Sequence, residues 1–164
     1  LKTMSADRAR LQKLFDHVAA AIAALPAPDG GISFAKRRGK LIWPTQGKLR
    51  HSFGSSREGT ALKWDGMVIA ATAGIDVKAV HGGRIIFSDY LRGHGLLAIV
   101  DHGHGYMSLY AHNQSLFRET GDWVEAGETI ASVGNSGGRE QTGLYFEIRK
   151  NGKPTNPKRW LIKA

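Results

Sequence analysis

Histidines are the side chains of this sequence best suited to metal or acid–base chemistry, because the chain has no cysteine. His102 and His104 are separated by one residue, which is the spacing of a His-x-His metal pair. The pair stands in the glycine-rich run DHGHGY, which predicts a turn between two strands, and no carboxylate accompanies it at ligand spacing. His51, His81 and His94 are scattered without metal spacing. We therefore interpret the His-x-His pair as structural.

From Lys40 onward, short apolar runs alternate with glycines, and no second long helical pattern appears. This texture is typical of an all-β sandwich or barrel. The strands that we predict are 41–43, 49–53, 67–71, 76–80, 84–90, 96–101, 106–112, 128–133 and 144–150. There is no β–α alternation and no fixed repeat, which argues against a parallel α/β sheet or a solenoid.

Two of these strands predict where a binding groove lies. Their core faces should carry Met107, Leu109 and Ala111 in the first strand and Leu144, Phe146 and Ile148 in the second. Their opposite faces should carry Tyr106, Ser108, Tyr110 and His112, and Tyr145, Glu147 and Arg149. A surface this aromatic and polar favours a binding groove, with an ordinary exposed sheet face as the alternative.

The segment 5–25 predicts one amphipathic helix. Ser5 is a candidate N-cap, and Asp7 would lie in the first turn, where the helix dipole favours a negative charge. Pro26 and Pro28 should end the helix. The apolar residues that recur at helical spacing are Leu11, Leu14, Phe15, Val18, Ile22 and Leu25. This stripe must be buried on the following domain, on a partner or in a coiled coil.

Composition excludes several classes of protein. The 164 residues are 41% hydrophobic, which is enough for a packed core and excludes wholesale disorder. No apolar run approaches the roughly 20 residues that a membrane-spanning helix needs. Because the first residue is Leu1, we expect a mature product or an excised piece of a longer chain.

The net charge of +9 is concentrated near the N-terminus, where residues 1–50 contain ten Lys and Arg against three Asp and Glu. The densest cluster is Lys36, Arg37, Arg38 and Lys40. We interpret it as a solvated linker, with a polyanion-binding patch as the alternative. Aromatic residues, which usually accompany nucleic-acid contacts, are sparse there, so no nucleic-acid partner is predicted.

The order of motifs from about residue 40 resembles the LytM family, the lysostaphin-type zinc endopeptidases that cut peptidoglycan cross-links. The matching runs are DHGHGY, LYAH, VEAGETIASVGNSGG and LYFEI, after a paired-glycine turn at Gly82 and Gly83. The resemblance implies a mainly β fold, a twisted antiparallel β-sheet or sandwich with a groove between loops, preceded here by the amphipathic α-helix. It divides the chain into 1–38, the helix and basic linker, and 39–164, the LytM domain.

The resemblance also implies that the zinc site is lost. Active members use an early His-x-x-x-Asp, a late His-x-His and a further His in a Y-x-H motif. The early positions correspond to Trp64 and Val68, and the late pair to Gly143 and Tyr145. Of these family histidines only His112, in YAH, is retained. Since an indole and an isopropyl group cannot bind zinc and a phenol is a poor replacement, we expect no metal, no other cofactor and no catalytic residue.

Within this family the chain is similar to the EnvC-type murein hydrolase activators, through W-x-GMVI, SLY, GGR and LYFEIR. In those proteins a coiled coil precedes a zinc-free LytM domain that switches on N-acetylmuramoyl-L-alanine amidases, and the segment before the domain helps restrain the groove. The resemblance implies partner binding by Val68, His94, Leu97, Tyr110, Tyr145 and Arg149. Asp65 stands where the family usually has Lys, and His94 where it usually has Tyr, which suggests a different cognate amidase or a different lineage.

The resemblance therefore implies a non-catalytic activator of periplasmic cell-wall amidases that split peptidoglycan during cell division. The expected location is the periplasm. The expected partner is such an amidase, with peptidoglycan and an upstream division-site membrane complex as further candidates. Two alternatives stay open. One is a passive peptidoglycan-binding module, indicated by the +9 charge. The other is a residual cell-wall endopeptidase built on His112 and the HGH turn.

Overall fold

Glycine-bounded apolar runs form the strands of the protein, as the sequence predicts. The computed structural model describes residues 2–23, 32–57 and 61–163. Its strands are β1 Lys48–His51, β2 Met67–Ala70, β3 Asp76–Lys78, β4 Gly83–Leu91, β5 Gly95–Gly103, β6 Tyr106–Asn113, β7 Ser115–Leu116, β8 Trp123–Val124, β9 Thr129–Ser132, β10 Gly143–Lys150 and β11 Lys153–Thr155. Short 3-10 helices span Phe34–Arg37 and Pro157–Arg159.

These strands form two antiparallel sheets. The larger sheet has the order β1-β2-β10-β6-β5-β4-β8, with β11 added on β10, and the smaller one has the order β3-β9-β7. The predicted mainly β, antiparallel fold is confirmed. The segment predicted as a strand at 41–43 instead forms a single bridge, between Leu41 and Leu161. Strands β7, β8 and β11 escaped prediction because two or three residues are too few to show alternation.

The predicted N-terminal helix is confirmed as α1, Lys2–Ala23. The predicted cap at Ser5 is wrong, because the helix begins three residues earlier and Ser5 lies within it. No Gly or Pro separates Lys2 from Ser5, so nothing in the sequence stops the helix from starting upstream. Asp7 consequently lies beyond the first turn, and its Oδ1 accepts a bond of 2.9 Å from Arg10. The predicted stops at Pro26 and Pro28 fall outside the described residues.

Apolar side chains cover both faces of the larger sheet. The main core packs between the two sheets and includes Met67, Ile69, Tyr110, Leu144 and Phe146. A second apolar cluster joins Leu11 and Phe15 of α1 to Val68, Leu97, Ile99, Met107, Leu109, Ala111, Trp64 and Tyr145. Because neighbouring residues of a strand point to opposite faces, α1 lies on the face of the sheet opposite the main core.

The predicted faces of β6 and β10 are therefore wrong in one respect. Phe146 pairs directly with Tyr110, and Tyr145 pairs with Ala111. Tyr110 thus shares the main-core face with Phe146, whereas Ala111 shares the other face with Tyr145. The prediction failed because both faces are buried, so hydrophobicity along the strand does not tell one face from the other.

The segment before β1 is tied to the main core by Phe34. Its ring is 1% exposed and stacks on His102 and Tyr106 at centroid distances of 4.7 and 4.9 Å. It also contacts the ring of Trp160 near the C-terminus. The predicted division of the chain at residues 38 and 39 stays a prediction, but Phe34 itself belongs to the packing of the β domain.

Candidate functional site: a groove beneath the N-terminal helix

The positions predicted to have lost zinc ligands converge around Tyr145. Val68 of β2 pairs with Tyr145 of β10 across the sheet. The ring centroid of Trp64, just before β2, lies 5.9 Å from that of Tyr145, and the His112 centroid lies 6.4 Å from it. We call this region the groove: the sheet face that carries Trp64, Val68, His112 and Tyr145.

Gly143 begins β10 two residues before Tyr145 and lies opposite Ala70. A Cβ atom placed on Gly143 would come within 2.7 Å of the carbonyl oxygen of Ile69. This is closer than real Cβ contacts come, so β2 and β10 approach too closely here for a side chain. A histidine at this position would require the backbone to move.

His112 enters the groove because it breaks the alternation of β6. Its φ of 65° is left-handed, which turns the ring to the side of Tyr145 instead of the side of Tyr110. Its Nδ1 donates to the carbonyl oxygen of Ser136 over 2.7 Å. Burial lowers the pKa of His112 to about 3, so the ring is neutral and its Nε2 carries a lone pair.

His94 lies beside His112 in the groove, with the two rings stacked at a centroid distance of 6.2 Å. Burial lowers the pKa of His94 to about 4, against a weaker opposing effect of Asp7. Both histidines are therefore neutral at neutral pH. Among the described residues, no three His, Asp or Glu side chains lie close enough together to hold a metal ion.

The HGH pair does not converge. His102 is buried, with Nδ1 2.8 Å from the carbonyl oxygen of Gly82 and Nε2 2.7 Å from the hydroxyl of Ser108. His104 is exposed in the β5–β6 turn with a φ of 53°. His102 is buried in the core and His104 faces solvent, so the two side chains cannot bind the same metal ion.

Strand β10 places a buried Tyr–Glu–Arg row along the groove, because Tyr145, Glu147 and Arg149 alternate onto one face. The Tyr145 hydroxyl donates to Glu147, and Arg149 Nε donates to the same carboxylate over 2.6 Å. Glu147 and Arg149 are only 1% and 2% exposed. Burial raises the pKa of Glu147, while Arg149 opposes the shift. Burial, followed by the Glu147 charge, raises the pKa of Tyr145 well above its usual value, which keeps the phenol protonated.

Glu147 is a site residue that the predicted partner-binding set omits. Its signal in the sequence was the period-two spacing of YFEIR, which puts the acid between the two predicted residues on one face. A buried carboxylate and guanidinium are stable only as a pair, so Glu147 fixes both Tyr145 and Arg149.

Helix α1 covers this groove. Leu11 and Phe15 are each 2% exposed and belong to the apolar cluster of the groove. Arg149 places its guanidinium 4.5 Å from the centroid of the Phe15 ring and donates to Gln12 over 2.9 Å. Arg8 makes two bonds to Asp65, with Nε–Oδ2 at 2.8 Å and Nη2–Oδ1 at 3.1 Å.

The helix also approaches the β4–β5 turn closely. Arg10 donates to the carbonyl oxygen of Arg92 over 3.1 Å. The carboxyl group of Asp7 occupies the space that a Cβ atom on Gly93 would fill. The positive φ of Gly93 and this close approach both favour glycine there. A cavity of about 220 Å³ remains between α1 and the sheet.

The residues predicted to bind a partner are all buried. Val68, Leu97, His94, Tyr145 and Arg149 lie on the groove side, each at most 7% exposed. The predicted placement of Tyr110 beside Tyr145 and Arg149 is wrong. Tyr110 is fully buried in the main core, where its hydroxyl bonds to Ser108 and accepts from the Val80 amide. The reason is the register that pairs it with Phe146.

The sequence matches the model of peptidase family M23 over residues 62–157, which is more than half of the chain. The chain belongs to peptidase family M23. The match spans β2 to the last 3-10 helix and so includes every sheet residue of the groove.

Solved structures show the same fold. A putative peptidase M23 from Pseudomonas aeruginosa superposes with a TM-score of 0.71 at 22% identity, covering 93% of this chain and 60% of that one. A zinc-containing peptidase from Vibrio cholerae superposes with a TM-score of 0.69 at 19% identity, covering 77% of this chain and 41% of that one. At this identity the likeness concerns the M23 fold alone.

Curated M23 relatives are more similar in sequence. The murein hydrolase activator EnvC of Escherichia coli is 48% identical over 124 residues, which are 76% of this chain and 29% of EnvC. The murein hydrolase activator NlpD of E. coli is 40% identical over 120 residues, which are 73% of this chain and 30% of NlpD. The chain thus spans less than a third of the length of these two relatives. In the described part of the chain, no helix is both long and apolar enough to cross a membrane.

Proposed function

We propose that this chain is a non-catalytic activator of peptidoglycan amidases, acting in the periplasm through the groove of its M23 domain. Two relatives named murein hydrolase activators support an activator role. The observation that carries the proposal is the content of the groove. An apolar and aromatic surface, centred on Tyr145, carries the positions that the sequence predicts to have lost the zinc ligands of the family.

The side chains at that place suit binding better than hydrolysis. Trp64 and Val68 offer no atom that ligates zinc. Tyr145 keeps its proton and donates a hydrogen bond to Glu147. A neutral His112 on its own cannot polarise a water molecule as a metal centre does. Tyr, Trp and Arg are the side chains most often found at the energetic centre of protein interfaces.

The proposal gives α1 the role of a restraint. A partner can reach Tyr145 and Arg149 only after α1 leaves, because Leu11, Phe15 and Gln12 occupy the adjacent space. Burial of Leu11 and Phe15 stabilises the covered state by about 1.5–3 kcal/mol each. Such a restraint is strong enough to keep the groove covered and weak enough for a binding partner to displace it. The division-site membrane complex is the candidate source of the displacement.

Dye release from labelled sacculi by a periplasmic amidase tests the proposal. Leu11→Glu places a charge in the apolar cluster and should uncover the groove, so we expect it to activate the amidase more strongly than the wild-type chain does. Adding Tyr145→Ala to Leu11→Glu should abolish activation. The matched control is Trp123→Ala in the same background, because Trp123 is an aromatic residue 53% exposed on β8. Activation by the Tyr145→Ala variant would contradict the groove mechanism.

The charge of the chain favours one alternative, a passive peptidoglycan-binding module. The +9 charge would adsorb a protein to polyanionic sacculi in a salt-sensitive way. The same assay separates the two functions, because a passive binder leaves the amidase rate unchanged for every variant. Dye release by the chain alone would make it a hydrolase and contradict both functions.

A further inference from the structure

Three arginines from separate segments gather at the end of the groove. Arg50 belongs to β1, Arg57 to the connection that follows β1, and Arg139 to the loop before β10. Arg57 and Arg139 line the cavity beneath α1. Burial and then the charges of Arg50 and Arg57 lower the pKa of Arg139, so Arg139 is near enough to both other cations to be repelled by them.

In the part of the chain that the structure describes, no carboxylate forms an ion pair with Arg139. The acidic side chains that line the cavity are Asp7, Asp65 and Glu147. Each is already held by another arginine: Asp7 by Arg10, Asp65 by Arg8 and Glu147 by Arg149. Within the described residues, Arg139 forms no hydrogen bond and no ion pair.

Two buried donors, one lining the cavity and one on an arginine whose charge acts on Arg139, also lack acceptors. The indole Nε1 of Trp64 and the Nη1 of Arg50 are buried and find no hydrogen-bond partner among the described residues. Trp64 lines the cavity, and the Arg57 guanidinium lies 4.0 Å from the centroid of its ring. Indole N–H and guanidinium N–H groups can only donate, so a group that completes them must be an acceptor.

We propose that the end of the groove between Arg57 and Arg139 is a binding site for an oxyanion, a carboxylate or a phosphate group. Guanidinium groups present paired N–H donors that match the two oxygens of such a group. A bound anion would also relieve the repulsion of Arg139 by Arg50 and Arg57. The cavity of about 220 Å³ has room for a small anion or for the end of a peptide. The site is independent of amidase activation, because it is defined by what binds to this chain alone.

Isothermal titration calorimetry of the full chain with inorganic phosphate, at constant ionic strength set with chloride, tests this site. We expect saturable binding that Arg139→Gln weakens at least tenfold. The matched control is Arg159→Gln, which removes the same charge at an exposed position of the last 3-10 helix and should leave the affinity within twofold. Equal phosphate binding by wild type and Arg139→Gln would overturn the proposal, as would the absence of saturable binding by all the probes.

The source of the oxyanion is separated by two further probes, a short peptide with a free C-terminal carboxylate and the same peptide as its amide. Tighter binding of the acid, sensitive to Arg139→Gln, identifies a peptide carboxylate. Binding of phosphate but of neither peptide identifies a phosphate group. A thermal melt without added anion checks that Arg139→Gln folds. It should melt no lower than wild type, since the substitution removes a repelling charge; a lower melting temperature would contradict the repulsion.

Discussion

A buried hydrogen-bond chain explains at the residue scale why Tyr110 is not a groove residue. His102 Nδ1 donates to Gly82, so its Nε2 accepts from Ser108, whose hydroxyl accepts in turn from Tyr110. The Tyr110 oxygen then accepts from the Val80 amide. Burial lowers the pKa of His102 to about 3, which keeps the ring neutral and able to accept. Every side chain in this series of hydrogen bonds has a partner, so Tyr110 is fixed in the core.

Replacing Tyr110 by Phe should destabilise the fold without touching the groove. The substitution leaves the Val80 amide without its acceptor and removes the bond that the Ser108 oxygen accepts, while Ser108 still donates to His102. A buried unsatisfied group costs about 1–3 kcal/mol. Urea denaturation at neutral pH measures the loss in the free energy of unfolding. Amidase activation should be unchanged under conditions where the variant is folded. A variant as stable as wild type would contradict the continuous chain.

The neutral histidines make stability depend on pH. The pKa values of His94 and His112 in the folded protein are about 4 and about 3, below the ordinary value of 6.5. At pH values between 6.5 and the pKa in the folded protein, each of these histidines is protonated in the unfolded chain and neutral in the folded one. The free energy of unfolding therefore falls as the pH falls below about 6.5. Each such histidine contributes a slope of about 1.4 kcal/mol per pH unit in that window.

His112→Asn tests this dependence, because asparagine tolerates the left-handed φ of position 112 and does not titrate there. Chemical denaturation at pH 7 and pH 5 should show a smaller loss of stability for the variant than for wild type. An identical loss in both proteins would show that His112 is not the group that resists protonation. His94→Tyr should reduce the loss in the same way, because tyrosine does not gain a proton between pH 7 and pH 5.

At the scale of secondary-structure elements, helix α1 makes few contacts with the rest of the protein, whereas the strands are paired along their length. Its apolar contribution to the groove comes from Leu11 and Phe15, with Leu14 partly buried beside them. The ion pair of Arg8 and Asp65 is partly exposed, with side-chain exposures of 41% and 19%, so it adds orientation more than stability. Few buried contacts predict that α1 opens before the sheets unfold.

Phe15→Ala should therefore loosen α1 selectively. The variant loses the packing of the ring and its contact with Arg149, so the amides of α1 should exchange with solvent faster, whereas those of β5, β6 and β10 keep their protection. Native-state hydrogen exchange measures both sets in one experiment. Lys13→Ala is the matched control, since Lys13 is an exposed residue of the same helix. Faster exchange throughout the sheets would mean that α1 is part of the global folding unit.

The strand pattern and the motifs were sufficient to predict the fold class, most of the strands and the convergence of Trp64, Val68 and Tyr145. They failed for Tyr110 because a sheet buried on both faces shows no hydrophobic contrast between them. His112 reaches the groove through a single left-handed residue, which local sequence does not specify. Arg57 and Arg139 are brought together by the packing of two distant loops, and neither loop alone has a pattern that would indicate the other.

The whole molecule is a sheet with two different coverings. One face carries the smaller sheet and the main core, which fix the fold. The other face carries α1, which covers the groove with an apolar pair and a few polar contacts. This arrangement makes the groove available only in the fraction of molecules whose helix has opened. The affinity for any protein that binds the groove is reduced by that fraction.

Opening of α1 and partner binding should consequently be linked quantitatively. If Phe15→Ala raises the open fraction of α1, measured by hydrogen exchange, by a given factor, the dissociation constant for the amidase should fall by the same factor while the groove is mostly covered. Removal of a buried phenylalanine side chain corresponds to about 3–5 kcal/mol in a rigid core, so a factor of at least ten is expected even if α1 relaxes around the cavity. Surface plasmon resonance with immobilised amidase measures the dissociation constants.

Lys13→Ala, the matched control, should change neither the open fraction of α1 nor the dissociation constant. A larger open fraction of α1 without a lower dissociation constant would place the amidase on a surface other than the groove. The affinity of a protein that binds the groove must depend on the helix that covers it.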